Sequence, residues 1–157
     1  MADRRLVALL LAFLSCACLA GPAELEVNAC IVSDEDGFIL RFEVSNVSEN
    51  SITIPNERLP WGVDGAIVVA YRGTAIRGGL LRRVYLIQDD FSENRLLRRG
   101  GKQYGDVYLS HIFPELRKPV AGSPVTVMWS YSVLDLPVRQ ETIGGALTLL
   151  ERDRCAK

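Results

Sequence analysis

Histidine is nearly missing from this sequence: His111 is the only one in 157 residues. Without a second histidine, or a close cysteine pair beyond the first twenty residues, the spacing of a zinc site is absent, and no metal or other cofactor is expected. The same shortage weighs against nucleophilic catalysis, and no Gly-x-Ser-x-Gly elbow occurs. Positive charge is not in excess either. The formal net charge is −1, which argues against a general nucleic-acid binder. No stretch keeps apolar residues at i, i+3 and i+4 over the ten or more positions of an ordinary helix. Beyond residue 20, no apolar run approaches the roughly 17–25 residues of a membrane-spanning helix.

What is present begins with an export signal. Arg4 and Arg5 precede an unbroken apolar run over residues 6–14, and Cys18-Leu19-Ala20 ends the stretch with small residues where a signal peptidase reads. Cleavage is expected after Ala20, giving a signal peptide over residues 1–20 and one domain over residues 21–157. The product would be periplasmic or secreted. Cys16 follows Leu14-Ser15 and offers an alternative, acylation as a membrane-anchored lipoprotein. The match to a lipobox is imperfect, since Phe13 stands three places before Cys16 where leucine is wanted.

Cleavage would remove Cys16 and Cys18 and leave Cys30 and Cys155. In an oxidising compartment these are expected to pair, closing a loop of about 125 residues worth on the order of 4–5 kcal/mol by the chain-entropy estimate. Charge in the remaining chain is uneven. Residues 21–64 hold nine acids and two bases, whereas residues 72–102 hold eight bases and three acids. Such asymmetry suits a charged partner or two complementary wet faces.

Period-two alternation dominates. Leu25, Val27, Ala29 and Ile31 share one face, and Phe38, Leu40, Phe42 and Val44 repeat the pattern, with Asp36-Gly37 supplying a tight turn between the two strands. Further strands are expected over residues 52–54, 66–71, 80–88, 105–113, 125–133 and 146–150, with a helical turn or two over 93–99. About eight short strands without long helices imply an all-β fold, a two-sheet antiparallel sandwich of the immunoglobulin-like kind.

The run Phe42-Glu43-Val44-Ser45-Asn46-Val47-Ser48, followed by Ile52-Thr53-Ile54-Pro55, resembles the strand, Asn-x-Ser turn and next strand of small exported bacterial β-sandwich proteins of immunoglobulin or fibronectin type. Asp106-Val107-Tyr108-Leu109-Ser110, then Phe113 and Pro124-Val125-Thr126-Val127, is similar to their last two core strands. The resemblance covers about half of the chain after the leader and implies architecture only, because that architecture serves inhibitors, adhesion modules and chaperones alike. The Cys-Trp-Cys spacing of antibody domains is absent.

Few residues invite chemistry. Ser110 and His111 adjoin in an expected strand, so they would point to opposite faces and could not act as nucleophile and base. Asp34, Glu35 and Asp36 suggest a calcium loop, but the twelfth position is Ser45 rather than glutamate, leaving a plain hairpin. The loop over residues 55–65 is more suggestive. Its two prolines would present Arg58, Leu59 and Trp61 to a partner, unless Trp61 folds back as a lid on the core. A basic segment around Arg98 and Arg99 is a second candidate contact or a mobile connection. Trp129 alternates with Val127 and Tyr131 and is expected in the core. The reading that follows is a non-enzymatic exported module that binds another protein, in the manner of an inhibitor, immunity protein or envelope-assembly component. The alternatives are an acylated structural envelope protein and, third, an unrecognised hydrolase.

Overall fold

A computed structural model describes residues 24–34, 37–73, 79–85, 93–117, 124–132, 142–149 and 155. Residues 1–23, with Cys16, lie outside the described residues. Among the described residues no helix is long and apolar enough to cross a membrane.

The two alternating segments form β1 (Leu25–Asp34) and β2 (Gly37–Asn46), paired antiparallel with Asp34 opposite Gly37. Gly37 has φ +130°, a conformation that side chains resist, and Ser110 crowds the place where a Cβ would stand. A third strand, β6 (Lys102–Tyr108), pairs with the other edge of β2. A second sheet joins β3 (Ile52–Pro55) to β5 (Asn94–Leu97), and a third has the order β4 (Ile67–Arg72), β7 (Val125–Ser132), β8 (Thr142–Thr148). All pairings are antiparallel.

The all-β expectation therefore holds, while the described strands hydrogen-bond as three sheets rather than two. Four local expectations are corrected. Residues 94–97 are a strand, not a helical turn, because β3 supplies the partner whose pairing overrides a sequence of good helix formers. Of the strand expected over 80–88, the described part makes a single bridge, Leu80 to Tyr71. The strand expected over 105–113 starts earlier, at Lys102, and stops at Tyr108, where a one-turn helix α1 (Leu109–Ile112) takes over. The strand expected over 146–150 begins at Thr142 and ends at Thr148.

One buried cluster gathers Leu40, Phe42 and Val44 of β2, Ile52 and Ile54 of β3, Val68 and Ala70 of β4 and Val127, Trp129 and Tyr131 of β7. Phe42 meets Trp129 edge-on, ring centroids 5.2 Å apart, so the first and third sheets share this core. Trp129 is buried as its alternation demands. Asn46, wholly buried at the end of β2, uses every polar atom of its side chain. Its Nδ2 donates to the carbonyls of Asn50 at 2.7 Å and Leu97 at 3.0 Å, and its Oδ1 accepts from the Ser48 amide at 3.0 Å and hydroxyl at 2.7 Å. That network closes the Asn-x-Ser turn and ties β2 to the end of β5.

Candidate functional site

The loop over residues 55–65 folds onto the body. It opens with a 3-10 turn, Asn56–Arg58, and is laced by its own backbone bonds, Gly62 N to Leu59 O at 2.8 Å and Ala66 N to Pro60 O at 2.9 Å. Leu59 is 1% exposed and belongs to the core, which removes it as a partner contact. The Tyr131 hydroxyl donates to the Arg58 carbonyl at 2.8 Å. Trp61 is half-buried and lies against Gly105 of β6 so closely that a Cβ there would overlap the indole. Residues 55–65 are thus anchored at three points, and Trp61, singled out as a partner contact, packs at the margin of the core as the alternative of a lid would have it. Arg98 and Arg99 are exposed at the turn before β6, where Gly101 N donates to Arg98 O at 2.7 Å.

Ser110 and His111 sit in α1, not in a strand. Ser110 is buried, whereas His111 is exposed and stacks on Tyr108 at 5.2 Å with rings 20° apart. Neighbours in a helix do not face each other, so they still form no nucleophile and base pair.

The most organised surface is the outer face of β1–β2–β6. Alternation sends Val27, Phe42 and Val44 inward, and the register sets polar residues side by side on the other face. One row holds Cys30, Arg41 and Asp106, the next Asn28, Glu43 and Tyr104, and the next Glu26, Ser45 and Lys102. Arg41 grips Asp106 with two bonds, Nε to Oδ1 at 2.8 Å and Nη2 to Oδ2 at 2.9 Å. This fork keeps the guanidinium charged to still higher pH than usual, through the hydrogen bond first and the carboxylate charge second. Lys102 Nζ reaches Glu43 Oε1 at 2.6 Å, diagonally between rows. Glu43 is held below the ordinary carboxylate range by Lys102 and then by the Tyr104 hydroxyl, while Lys102 and Tyr104 are both pushed up by Glu43.

Cys30 and Cys155 are bonded as a disulfide with Cα atoms 5.1 Å apart, as their pairing from sequence anticipated. The bridge brings the chain's last described residue onto this face. A concavity of about 710 Å³ lies there, lined by Asn28, Cys30, Arg41, Glu43, Tyr104, Asp106 and Cys155 among others. A second, smaller one of about 380 Å³ is lined by Glu26, Ser45, Lys102 and Arg99 among others. Of the residues singled out from the sequence, only Cys30 and Cys155, expected as a disulfide, and Arg99, expected in a separate basic segment, line these two concavities. Arg41 and Glu43 lie on the polar face that alternation gives β2, and Asp106 lies in the strand expected over 105–113, but only the register of β2 with β6 brings them together with Tyr104 and Lys102, which precede that expected strand. Starting it at Lys102 puts Lys102, Tyr104 and Asp106 on one face by alternation alone. No protein-family model matches this chain, and no curated protein matches it.

Proposed function

We propose that the chain is an exported, non-enzymatic protein-binding module, an immunoglobulin-like sandwich whose partner seats on the outer face of β1–β2–β6. The observation that carries this reading is the concavity among Arg41, Glu43, Tyr104 and Asp106. Tyrosine and arginine are the side chains most often found at binding hot spots, and Tyr104 is 58% exposed. The ion pairs hold these side chains in place before any partner arrives, which lowers the ordering cost of association. Arg99, at the far end of the same face, adds a basic rim that can steer an acidic partner. An acylated form anchored through Cys16 is the second reading, favoured by Leu14-Ser15-Cys16. Globomycin sensitivity and detergent partitioning of the tagged protein test it.

The main test is affinity capture of the exported protein, identification of its partner, and titration of variants. Tyr104→Ala should weaken binding by about 2 kcal/mol or more, roughly thirtyfold, with little change in melting temperature. Unchanged affinity in both Tyr104→Ala and Arg41→Ala would move the partner to another surface. A mature N-terminus other than Gly21, read by sequencing, would displace the export signal from the position given above.

A further inference from the structure

The disulfide is set in an unequal frame. Cys30 lies in the hydrogen-bonded ladder of β1 with β2, directly across from Arg41. Cys155 lies in none of the described strands. Both are partly exposed, and both line the 710 Å³ concavity rather than the packed core. Water and small solutes therefore reach the bridge from the side of the concavity.

Thiol–disulfide exchange is governed by access to the attacked sulfur and by the ease with which the other leaves as thiolate. On the second count the two sulfurs differ. Cys155 belongs to none of the described strands, whereas Cys30 is fixed in a sheet with a guanidinium on the neighbouring strand to stabilise its thiolate. Asp106 offsets part of that guanidinium charge, being bonded to it twice.

We propose that the Cys30–Cys155 bridge is an exchangeable site, opened in the folded protein by an external thiolate that attacks Cys155, and that opening removes one wall of the concavity. The external sulfur forms a bond to Cys155 Sγ. The Cys30–Cys155 bond breaks, and its electron pair remains on Cys30 as thiolate. A second external thiolate then attacks the external sulfur of the mixed disulfide, releasing Cys155 as thiolate and an oxidised external disulfide. Two thiols are oxidised, the bridge is reduced by two electrons, and both protein thiolates take up protons according to pH. The co-reactant is a small thiol or the cysteine of an oxidoreductase. β1 stays paired to β2, since the ladder does not depend on the bridge, while Cys155 is released from the outer face. This inference stands whether or not that face binds a protein.

Reduced glutathione is the probe. The purified, folded, oxidised protein is exposed to it, quenched with acid and N-ethylmaleimide, and the adducts are mapped by peptide mass. The expected result is opening at a rate within about tenfold of that in urea, with the first glutathione on Cys155 and strand circular dichroism retained after full reduction. Arg41→Gln should slow opening severalfold in the folded protein but not in urea. Asp106→Asn, which frees the guanidinium, should equal or exceed the native rate. First adducts on Cys30, protection of the folded protein beyond about a hundredfold, or loss of the strand signal on reduction would each overturn the proposal. Equal folded-state rates in all three proteins would overturn the part assigned to Arg41.

Discussion

The sheets β1–β2–β6 and β4–β7–β8 are alike in strand number and pairing sense, and they differ most on their outer faces. The first presents Glu26 and two ion pairs, Arg41 with Asp106 and Lys102 with Glu43, between residues 65 and 59 positions apart. The second presents Ile67, Val69 and Tyr71 on β4, Thr126, Met128 and Ser130 on β7, and Gly144, Ala146 and Thr148 on β8, with no acid or base among them. Ile67 is 63% exposed and Met128 40%. Inside, the asymmetry reverses. β7 sends Trp129 and Tyr131 into the core, whereas β6 contributes Gly105 as a seat for Trp61. Exposed ion pairs add little stability, so the charged face contributes little to holding the fold, whereas the shared core draws on the large side chains of β7.

The largest effect expected follows from that division. Trp129→Ala should cost about 3–5 kcal/mol, because the ring is 7% exposed and its edge contact with Phe42 leaves a closed cavity behind. Trp61→Ala should cost about half as much, since the half-buried indole lies at the margin of the core and its loss leaves an open notch. Urea unfolding of the two variants measures both. Equal losses would mean that the loop over 55–65 is as much a part of the core as β7, and the inner faces would no longer differ.

How far this arrangement can be read from the sequence depends on the range of the interaction. The β1–β2 hairpin and β7 follow from alternation and one Asp-Gly step, both local signals. The Cys30–Cys155 pair follows from counting cysteines beyond residue 20. β5 does not, because Asn94-Arg95-Leu96-Leu97 has no alternation of its own and becomes a strand through β3, about forty residues earlier. Nor does α1, where the sequence after Tyr108 continues to look extended while tertiary packing buries Leu109 and Ile112 on one side of a single turn. The candidate site was the least legible part. Arg41 and Asp106 have no sequence relation until the register of β2 with β6 places them opposite each other.

A smaller effect belongs to the alkaline range. Burial pushes the Tyr131 hydroxyl up to about 12 from its usual 10, with Arg58 opposing weakly. Because the folded value is raised, the contribution is fully present below pH 10 and is lost as pH rises from 10 toward 12. It amounts to about 2–3 kcal/mol. Tyr131→Phe should lose about 1 kcal/mol at pH 7 with the bond to the Arg58 carbonyl, and should flatten the alkaline decline. Urea midpoints at pH 7, 9 and 11 measure both. An alkaline decline as steep in the variant as in the native protein would place its source elsewhere, for instance in the Glu43–Tyr104–Lys102 group of the other sheet.

The smallest effect expected is the most direct probe of the charged face. Arg41 and Asp106 are partly exposed, with side-chain exposures of 43% and 24%, so water already screens much of their attraction. A double-mutant cycle over Arg41→Met and Asp106→Leu should give a coupling of about 1 kcal/mol or less. At 1 M salt the screening length falls to about 3 Å and the coupling should shrink further. Glu43 works in the same direction at acid pH. Its folded value is lowered by Lys102, so its contribution is present above the ordinary carboxylate range and fades as pH falls through the lowered value. Met128→Ala, on the uncharged face, should respond to neither salt nor acid. A coupling above about 2 kcal/mol that persists in salt would break the comparison, because the outer face of β1–β2–β6 would then stabilise the fold as the core does. A small, salt-sensitive coupling is what a surface should show when its charges orient Arg41 and Tyr104 for a partner rather than hold the sheet together.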